Sequence, residues 1–572
     1  MNDGANAGRS HESLEPIGSQ RDDLLFRIRH SAAHLMAEAI QQEFPEARFA
    51  IGPPVEDGFY YDVDLPHPLT PDDLEAIEAR MREIQKRDAP FVRQIVSRDA
   101  ALLTFATNPY KVEIISEIPA GETIATYRQG GFLDLCRGPH VTSTGQIGAF
   151  KLLWVAGAYW RGDERRPMLQ RIYGTAWRSQ AELDAHLDQL EEARKRDHRR
   201  LGRQLELFFL HPTAPGMPYW LPKGVTLLDQ LLAFWREEHR ASGYIEVATP
   251  MLNKKELFET SGHWSHYQHD MFTLEMDAED VYGLKPMNCP NAMITFGITR
   301  RSYRDLPLRL ADLSQLHRYE RSGTLAGLFR VRNFRQDDAH IFVSPDQLLD
   351  EFRRILELVD RFYALFGLEY RFRLGTRPDD FLGDIETWNE AETILAKVLA
   401  ESGLDFWIEA GDGAFYGPKI DILMRDSLRR EWQMGTLQLD FHMPRQFGVV
   451  YAAEDGSMQT PVTIHRAILG SVERFVGILI EHFNGAFPPW LAPVQAVVIP
   501  VTDQQLEFAE DVASRLRASN VRVEVDASST RMQAKIRASQ LQKVPYMLVV
   551  GRREAVAGSV SVRLRTGEDL GA

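Results

Sequence analysis

Cysteine is almost absent: Cys136 and Cys289 are the two thiols of a chain of 572 residues. Two cannot build the disulfide framework that staples small secreted domains, so each is left for chemistry. Long apolar runs are missing too, and no stretch reaches the roughly 20 residues of a membrane-spanning helix. The opening MNDGANAGRSHESLEPIGSQ has no apolar centre of the signal-peptide kind, and the expected location is cytoplasmic, with no membrane partner. An excess of positive charge is also lacking. The net charge is −15, which argues against a protein that coats nucleic acid indiscriminately, although a local basic patch can still grip one RNA. No phosphate-cradling GxxxxGK[ST] occurs, and Gly411, Gly413 and Gly417 of GDGAFYG neither keep dinucleotide-binding spacing nor follow a clear strand. A nucleotide, if bound, is held in another way.

With 44% hydrophobic residues the chain has enough apolar content for three or four domains with their own cores. Residues 1–20, rich in Gly, Ser, Asn and charge, read as a disordered tail. Leu25 to Gln41 follows as a helix whose apolar face is Ile28, Ala32, Leu35, Met36 and Ala39. His30 and His34, four apart, share a side of that helix, and Cys136 and His140 repeat the spacing in DLCRGPH. Spacing alone leaves two readings open: a closed tetrahedral zinc site of three histidines and a cysteine, or two unrelated pairs. Ser179 to Gln204 is polar and helical, a solvated charge run or a track for an RNA backbone.

Charge and small polar residues crowd most densely in RYERSGTLAGLFRVRNFRQDDAH, from Arg318 to His340. Arg318, Arg321, Arg330, Arg332 and Arg335 offer guanidinium forks suited to phosphate oxygens. Ser322, Gly323 and Gly327 make a loop between two strands, while Gln336, Asp337, Asp338 and His340 can orient a smaller polar ligand. A solvated hairpin is the plainer reading. Cys289, His340 and His465 lie far apart in sequence, and by themselves read more readily as a thiol and two satisfied polar histidines than as a metal set of one thiolate and two imidazoles. Three protein ligands leave zinc an open position. After Pro488-Pro489-Trp490, Val494 to Val501 reads as a strand and Thr502 with Gln505 as a capping box. A helix near Met532 to Leu541 and a strand from Tyr546 to Val550 complete a small βαβ-type domain.

Arg318-Tyr-Glu320 followed by Phe334-Arg-Gln336-Asp-Asp338-Ala-His340 resembles the second signature motif of class II aminoacyl-tRNA synthetases, and specifically of threonyl-tRNA synthetases. The likeness runs from about Arg27 along nearly the whole chain. It implies an α+β multidomain protein: a class II antiparallel-sheet catalytic core, an α+β editing domain and a C-terminal α/β anticodon-binding domain. The corresponding boundaries are 21–204 for the editing domain with its linker helix, 205–489 for the catalytic domain and 490–572 for the anticodon-binding domain.

HSAAH, IGPPVEDGFYYD and DLCRGPH are similar to the family's editing domain, which implies hydrolysis of a mischarged ester by His30, His34, Cys136 and His140 without a metal. Asp134 and Lys111 would assist. By the same resemblance Arg318 meets the α-phosphate of ATP, Glu320 the adenine edge and Phe334 the adenine face, while Arg474, in the helix of the third motif GSVERFVGILIEHF, stacks on the base and reaches the γ-phosphate, and Arg330 also binds ATP. Gln336, Asp338, Tyr416, Gln433, Gln438 and Ser471 line the amino acid and adenylate, and Cys289, His340 and His465 bind one Zn²⁺ per subunit. Glu554, Arg563 and Arg565 match positions near the anticodon. The helix Leu227 to Ser242 running into Tyr244 to Pro250 matches the dimer motif, so a homodimer is implied, with tRNA(Thr), threonine and ATP with Mg²⁺ as partners.

The family's small ubiquitin-like domain ahead of the editing domain has no counterpart here, and its usual terminal helix is not seen after Ala572. Five residues depart from the family near the active site: Asn291, Ala292, Arg321, Ala326 and Asn333. Their clustering points to a duplicate with altered inhibitor sensitivity. The expected activity is attachment of threonine to its tRNA through threonyl adenylate, with hydrolysis of mischarged seryl-tRNA. An RNA-binding regulator or a free-standing editing hydrolase of synthetase ancestry are the alternatives.

Overall fold

The computed structural model describes residues 24–277 and 280–572; the tail expected over residues 1–20 lies outside them. The chain divides into two compact units, Met1–Glu191 and Glu192–Ala572.

In the first unit the helix Leu24–Glu43 buries the expected stripe, with Ala32, Leu35, Met36 and Ala39 fully covered. It packs on an antiparallel sheet in which Gly58–Asp64 and Met168–Trp177 are central neighbours and Ala149–Tyr159 lies at one edge. Phe59, Tyr61 and Val63 alternate inward from Gly58–Asp64 to meet the helix. A second antiparallel sheet, Val92–Val96, Ile124–Gln129 and Phe132–Leu135, ends directly at Cys136 and so delivers DLCRGPH. The polar helix expected over Ser179 to Gln204 is two helices, Gln180–Arg196 and His198–Gln204. Asp197 breaks it because its backbone is non-helical (φ −46°, ψ 119°), and its carboxylate caps the second helix by accepting from the Arg199 N–H at 2.8 Å.

The second unit is built on a nine-stranded sheet running Ile245–Val247, Leu308–Asp312, Asn333–Val343, Val462–Ser471, Glu431–Asp440, Lys419–Arg425, Glu369–Gly375 and Phe406–Glu409, with Gln315–His317 paired to Asn333–Val343 off that path. It is antiparallel except for its outermost pairs, Ile245–Val247 with Leu308–Asp312 and Phe406–Glu409 with Glu369–Gly375. Helices Pro222–Ala241, Leu348–Phe366, Ile385–Ser402 and Val472–His482 bury Leu227, Phe352, Leu395 and Phe475 in one core with Ile341, Leu437 and Ile464 of the sheet. The opposite face of the central strands is left for chemistry.

Contrary to the sequence reading, the glycine loop GDGAFYG does follow a strand, Phe406–Glu409, a stretch too short for periodicity to reveal. The loop closes by an Ala414–Gly417 bridge and enters the strand Lys419–Arg425, so no helix N-terminus stands there to receive a phosphate. The C-terminal residues form a five-stranded sheet, Val523–Val525, Ala496–Pro500, Tyr546–Val550, Ser561–Leu564 and Asp569–Gly571, parallel in its first three strands. Leu506–Ala518 covers one face through Ala509 and Ala513, and Met532–Leu541 the other through Ile536. The Thr502–Gln505 capping box is present, but it caps a 3₁₀ turn that precedes the α-helix. No described helix is long and apolar enough to cross a membrane.

Candidate active site, metal cluster and editing cleft

Strand alternation decides which residues of FRQDDAH reach the open face. Gln336, Asp338 and His340 share it, whereas Asp337 is turned to the other side. There Asp337 is fully buried, accepts from the N–H groups of Ile468 (3.0 Å) and Gly470 (2.9 Å), and lies 3.5 Å from Arg466. The expectation that Asp337 orients a ligand is therefore corrected: it holds the backbone that turns into the helix Val472–His482.

Arg318, Glu320, Arg330, Phe334, Gln336, Gln433, Ser471 and Arg474 line one cleft of about 360 Å³. The Arg318 guanidinium lies 5.1 Å from the Phe334 ring centre and donates to the Pro286 carbonyl at 3.2 Å. Arg474 donates from Nε to the Phe329 carbonyl at 2.9 Å. These carbonyls orient the two guanidinium groups without neutralising them. Burial pushes both pKa values below the ordinary arginine value, a cost that an anion entering the cleft relieves. Ser471 is the N-cap of the helix Val472–His482, accepting from the Arg474 N–H at 3.2 Å. Gly470 precedes it at φ +66°, and a Cβ there would lie 2.2 Å from the Met434 carbonyl. Not every arginine of the hairpin joins the cleft. Arg332 donates to the Glu320 carbonyl at 2.8 Å and Arg335 pairs with Glu473 at 3.7 Å, so both brace the loop.

The ligand atoms of Cys289, His340 and His465 all lie within 4.8 Å of one another. His340 and His465 are register partners on adjacent antiparallel strands, and Cys289 opens the helix Cys289–Gly297. Both ring nitrogens of His340 and Nδ1 of His465 are buried without a hydrogen-bond partner. Buried nitrogens left this way are rare and want an ion or a ligand. Nε2 of His465 donates to Asp440 Oδ2 at 2.8 Å, which leaves Nδ1 to face the cluster. Burial holds His340 well below the usual imidazole pKa, hence neutral, and pushes the Cys289 thiol up. Burial opposes a proton on His465, but Cys289 and Asp440 outweigh it and raise that ring well above the usual imidazole range. A soft sulfur and two imidazoles fit a zinc ion, which would displace that proton.

Around the cluster, Asp338 accepts from Asn288 Nδ2 at 3.2 Å and is raised by burial to about 6. Tyr416 donates to Gln438 Oε1 at 3.0 Å, and Gln433 donates to Asp421 Oδ1 at 2.8 Å. Asp440, Asn288 and Asp421 were not legible in the sequence, since a single carboxylate or amide carries no periodic or motif signal. His263 was missed likewise. It lines a cavity of about 280 Å³ with Tyr416 and Asp440, and burial lowers it to about 4. Of the five family departures, Asn291 and Ala292 are buried on the helix begun by Cys289, and Asn333 Nδ2 lies 2.7 Å from His317 Nε2. Ala326 donates its N–H to the Arg330 carbonyl at 3.2 Å, and Arg321 leads into the turn Ser322–Thr324.

In the first unit His30, His34, Cys136 and His140 also gather within 4.8 Å. Cys136 Sγ lies 3.3 Å from Nε2 of His30 and 3.3 Å from Nε2 of His140. Nδ1 of His30 donates to the Pro139 carbonyl at 3.1 Å, so its Nε2 is the lone-pair atom. Lys111 Nζ is 2.6 Å from Asp134, and the Tyr61 hydroxyl donates to the same carboxylate. Burial, then Asp134, pushes the Cys136 thiol up to about 12, and burial takes His34 down to about 4. The cleft thus presents a neutral thiol and neutral imidazoles, groups that hydrogen-bond an ester or a water without needing charge. Tyr61, and Ser31 at 3.1 Å from His140 Nδ1, complete a site that sequence spacing gave only in part.

One consequence concerns acid stability. Because the folded pKa of His34 is about 4 against an ordinary 6.5, the unfolded chain binds the extra proton first as pH falls. Stability from this group is full above pH 6.5 and is lost towards pH 4, a difference of about 3 kcal/mol. Thermal unfolding of His34→Asn should depend less on pH across that window than wild type, and an unchanged slope would count against a buried neutral His34.

The anticodon candidates have local partners. Glu554 Oε2 accepts from the Gly551 N–H at 2.9 Å, Arg563 pairs with Asp569 at 2.7 Å, and Arg565 donates to the Phe487 carbonyl at 2.7 Å.

Comparison with known proteins returns the same architecture. Residues 272–483 match the tRNA synthetase class II core domain (G, H, P, S and T), residues 495–571 the anticodon binding domain, and residues 124–173 the threonyl and alanyl tRNA synthetase second additional domain. A threonine–tRNA ligase of Syntrophomonas wolfei is 51% identical over 546 residues, covering 95% of this chain and 86% of the relative. One from Thermus thermophilus is 51% identical over 566 residues with the same two coverages. The crystal structure of the RNA binding domain of threonyl-tRNA synthetase from Cryptosporidium parvum superposes with a TM-score of 0.64 at 44% identity, covering 65% of this chain and 94% of that one.

Proposed function

Since the chain belongs to the threonine–tRNA ligase family, we propose that its second-unit face is the site where threonine is activated, with Cys289, His340 and His465 as zinc ligands and Arg318 and Arg474 on the phosphates. The family's activity, ATP-dependent attachment of threonine to tRNA with editing of mischarged seryl-tRNA, is the activity of this chain. The observation that carries the site is the buried, unpartnered ring nitrogens of His340 and His465 beside Cys289.

Zinc bound by these three residues would supply a Lewis acid able to hold threonine bidentately through its amino and hydroxyl groups. Asp338 accepts from the amino group, and the Tyr416–Gln438 pair fixes the amide that faces the substrate. The threonine carboxylate attacks the α-phosphorus of Mg-ATP, pyrophosphate leaves, and charge on the phosphorus is stabilised by Arg318 and Arg474, held ready by backbone carbonyls. A terminal ribose hydroxyl of tRNA then attacks the adenylate carbonyl and releases AMP. Valine, lacking the hydroxyl, leaves polar groups of the site unpaired and is rejected strongly. Serine differs by one methyl, worth about 1–3 kcal/mol, too little to exclude it.

Residues 21–204 would then form the editing and linker region, 205–489 the catalytic domain and 490–572 the anticodon-binding domain, with Glu554, Arg563 and Arg565 on the RNA side of the last. A homodimer through Pro222–Ala241 and the edge strand Ile245–Val247 is supported by the unpaired side of that strand and by Ile245, 54% exposed. The cytoplasm, where tRNA charging supplies the ribosome, is the compartment proposed. The test is ATP–pyrophosphate exchange with threonine, followed by charging of tRNA(Thr). An enzyme inert in exchange yet able to bind RNA would overturn the proposal in favour of a regulator.

Fidelity gives a separable outcome. His30→Ala combined with His34→Ala should leave threonine exchange near wild type, while deacylation of supplied seryl-tRNA falls by ~10²-fold or more, the order of a general acid–base contribution. Chelators that strip the second-unit zinc should leave wild-type deacylation intact. Full hydrolysis by the double variant would refute the cleft, and a chelator-sensitive hydrolysis restored by zinc would make it a metal site.

A further inference from the structure

His198, the first residue of the second linker helix, is 2% exposed and has no part in the sites described above. Its ring is committed on both sides. The Leu328 N–H donates to Nε2 at 2.9 Å, and Nδ1 donates to Glu481 Oε1 at 2.7 Å. Only the neutral ring with its proton on Nδ1 makes both bonds, since a protonated Nε2 would face the Leu328 N–H donor to donor. Glu481 also accepts from the His198 N–H at 2.9 Å, and its other oxygen from Arg430 at 2.6 Å, so the anchor is itself fixed.

Both contacts lie in the catalytic motifs. Glu481 sits on the helix Val472–His482, about two turns after Arg474. Leu328 precedes Phe329, whose carbonyl accepts from Arg474 Nε at 2.9 Å and whose ring meets the His198 ring at a centroid distance of 4.1 Å. The loop passes over the imidazole closely enough to require glycine: at Gly327, φ +57°, a Cβ would lie 2.1 Å from His198 Nε2. One buried side chain thus ties the second-motif loop to the helix Val472–His482, and its hydrogen bond ends one residue from the carbonyl that aims Arg474.

We propose that His198, oriented by Glu481, is a positioning residue for adenylate formation: it sets the Leu328–Phe329 backbone and, through the Phe329 carbonyl, the direction of the Arg474 guanidinium. This rests on the reading that Arg474 serves the ATP phosphates. Misplacing such a group by about 1 Å costs on the order of 10²-fold in rate.

The test is threonine-dependent ATP–pyrophosphate exchange by the full-length enzyme. His198→Phe keeps the ring against Phe329 and removes both hydrogen bonds. Its kcat should fall ~10²-fold with the threonine KM unchanged and seryl-tRNA deacylation at wild type, while thermal unfolding falls only modestly, for the Leu328 N–H left unpaired. His198→Gln, which can still donate and accept, should recover about tenfold. Adding His198→Phe to Arg474→Ala should cost nothing further, because the two act through one group. Wild-type exchange by His198→Phe, a loss that adds in full to that of Arg474→Ala, or an equal loss in deacylation and stability would each overturn the role. If Phe at this buried position prevents folding, Glu481→Met, which removes the acceptor from His198 Nδ1, must show the same kcat loss, and a wild-type rate there overturns it instead. Arg474→Ala at wild-type rate would refute the underlying reading of Arg474 and not the strut.

Discussion

Cys289→Ser should lose zinc and threonine activation together. Removing a residue that merely orients a metal ligand weakens metal binding ~10–100-fold, so removing a ligand should cost at least the upper end of that range. The effect should be confined to the site. The apolar cluster around Cys289 is closed by Met293, Phe296 and Phe342, all fully buried, and serine keeps nearly the same volume, so thermal unfolding should change little. Metal content, exchange rate and unfolding temperature measured on one preparation separate these outcomes. Retained zinc with unchanged exchange would remove Cys289 from the metal set, and a collapse of unfolding temperature would make the metal a structural one.

The second large effect should come from Arg474→Ala, with exchange falling by ~10²–10³-fold, as when one fixed donor to a developing charge is removed. This variant is informative because its side chain and its backbone do different jobs. The Ser471 cap is made to the Arg474 N–H, which alanine keeps, while the guanidinium alone reaches the Phe329 carbonyl and the cleft. Helix Val472–His482 should therefore persist. Deacylation of supplied seryl-tRNA by the same variant should match wild type, and a parallel loss there would mean that the activation and editing sites are not independent.

What could be read in the sequence was whatever repeats locally. The apolar stripe of Leu24–Glu43 is periodic, the Thr502–Gln505 box is a three-residue signal, and Met532–Leu541 runs to its expected ends. His30 with His34 and Cys136 with His140 announced themselves by four-residue spacing. That the pairs meet is a matter of the fold, since the second follows a strand of one sheet and the first rides a helix packed on another. Cys289, His340 and His465 had no spacing to offer, and it took the resemblance to collect them before the strand register did so. Asp440 and His198 had neither signal. Each acts through one hydrogen bond across a long loop of chain, and such contacts leave no local pattern. The misreading of Asp337 is of another kind: alternation along a strand was available, and applying it to Gln336–His340 would have turned that carboxylate away from the ligand.

The same alternation makes the central strand intolerant of shifts in frame. A one-residue slip of Asn333–Val343 against its neighbours would exchange Gln336, Asp338 and His340 for Asp337, Ala339 and Ile341 on the open face, and would push a charge and an imidazole into the core. No slipped molecule could keep half of a site. Single-residue insertions or deletions within 333–343 should therefore score as complete losses in a library selected for growth, even where the same lesions in the loop between Arg321 and Gly327 leave survivors, and the strand is a place where a population of this enzyme holds active molecules and unfolded ones with little between.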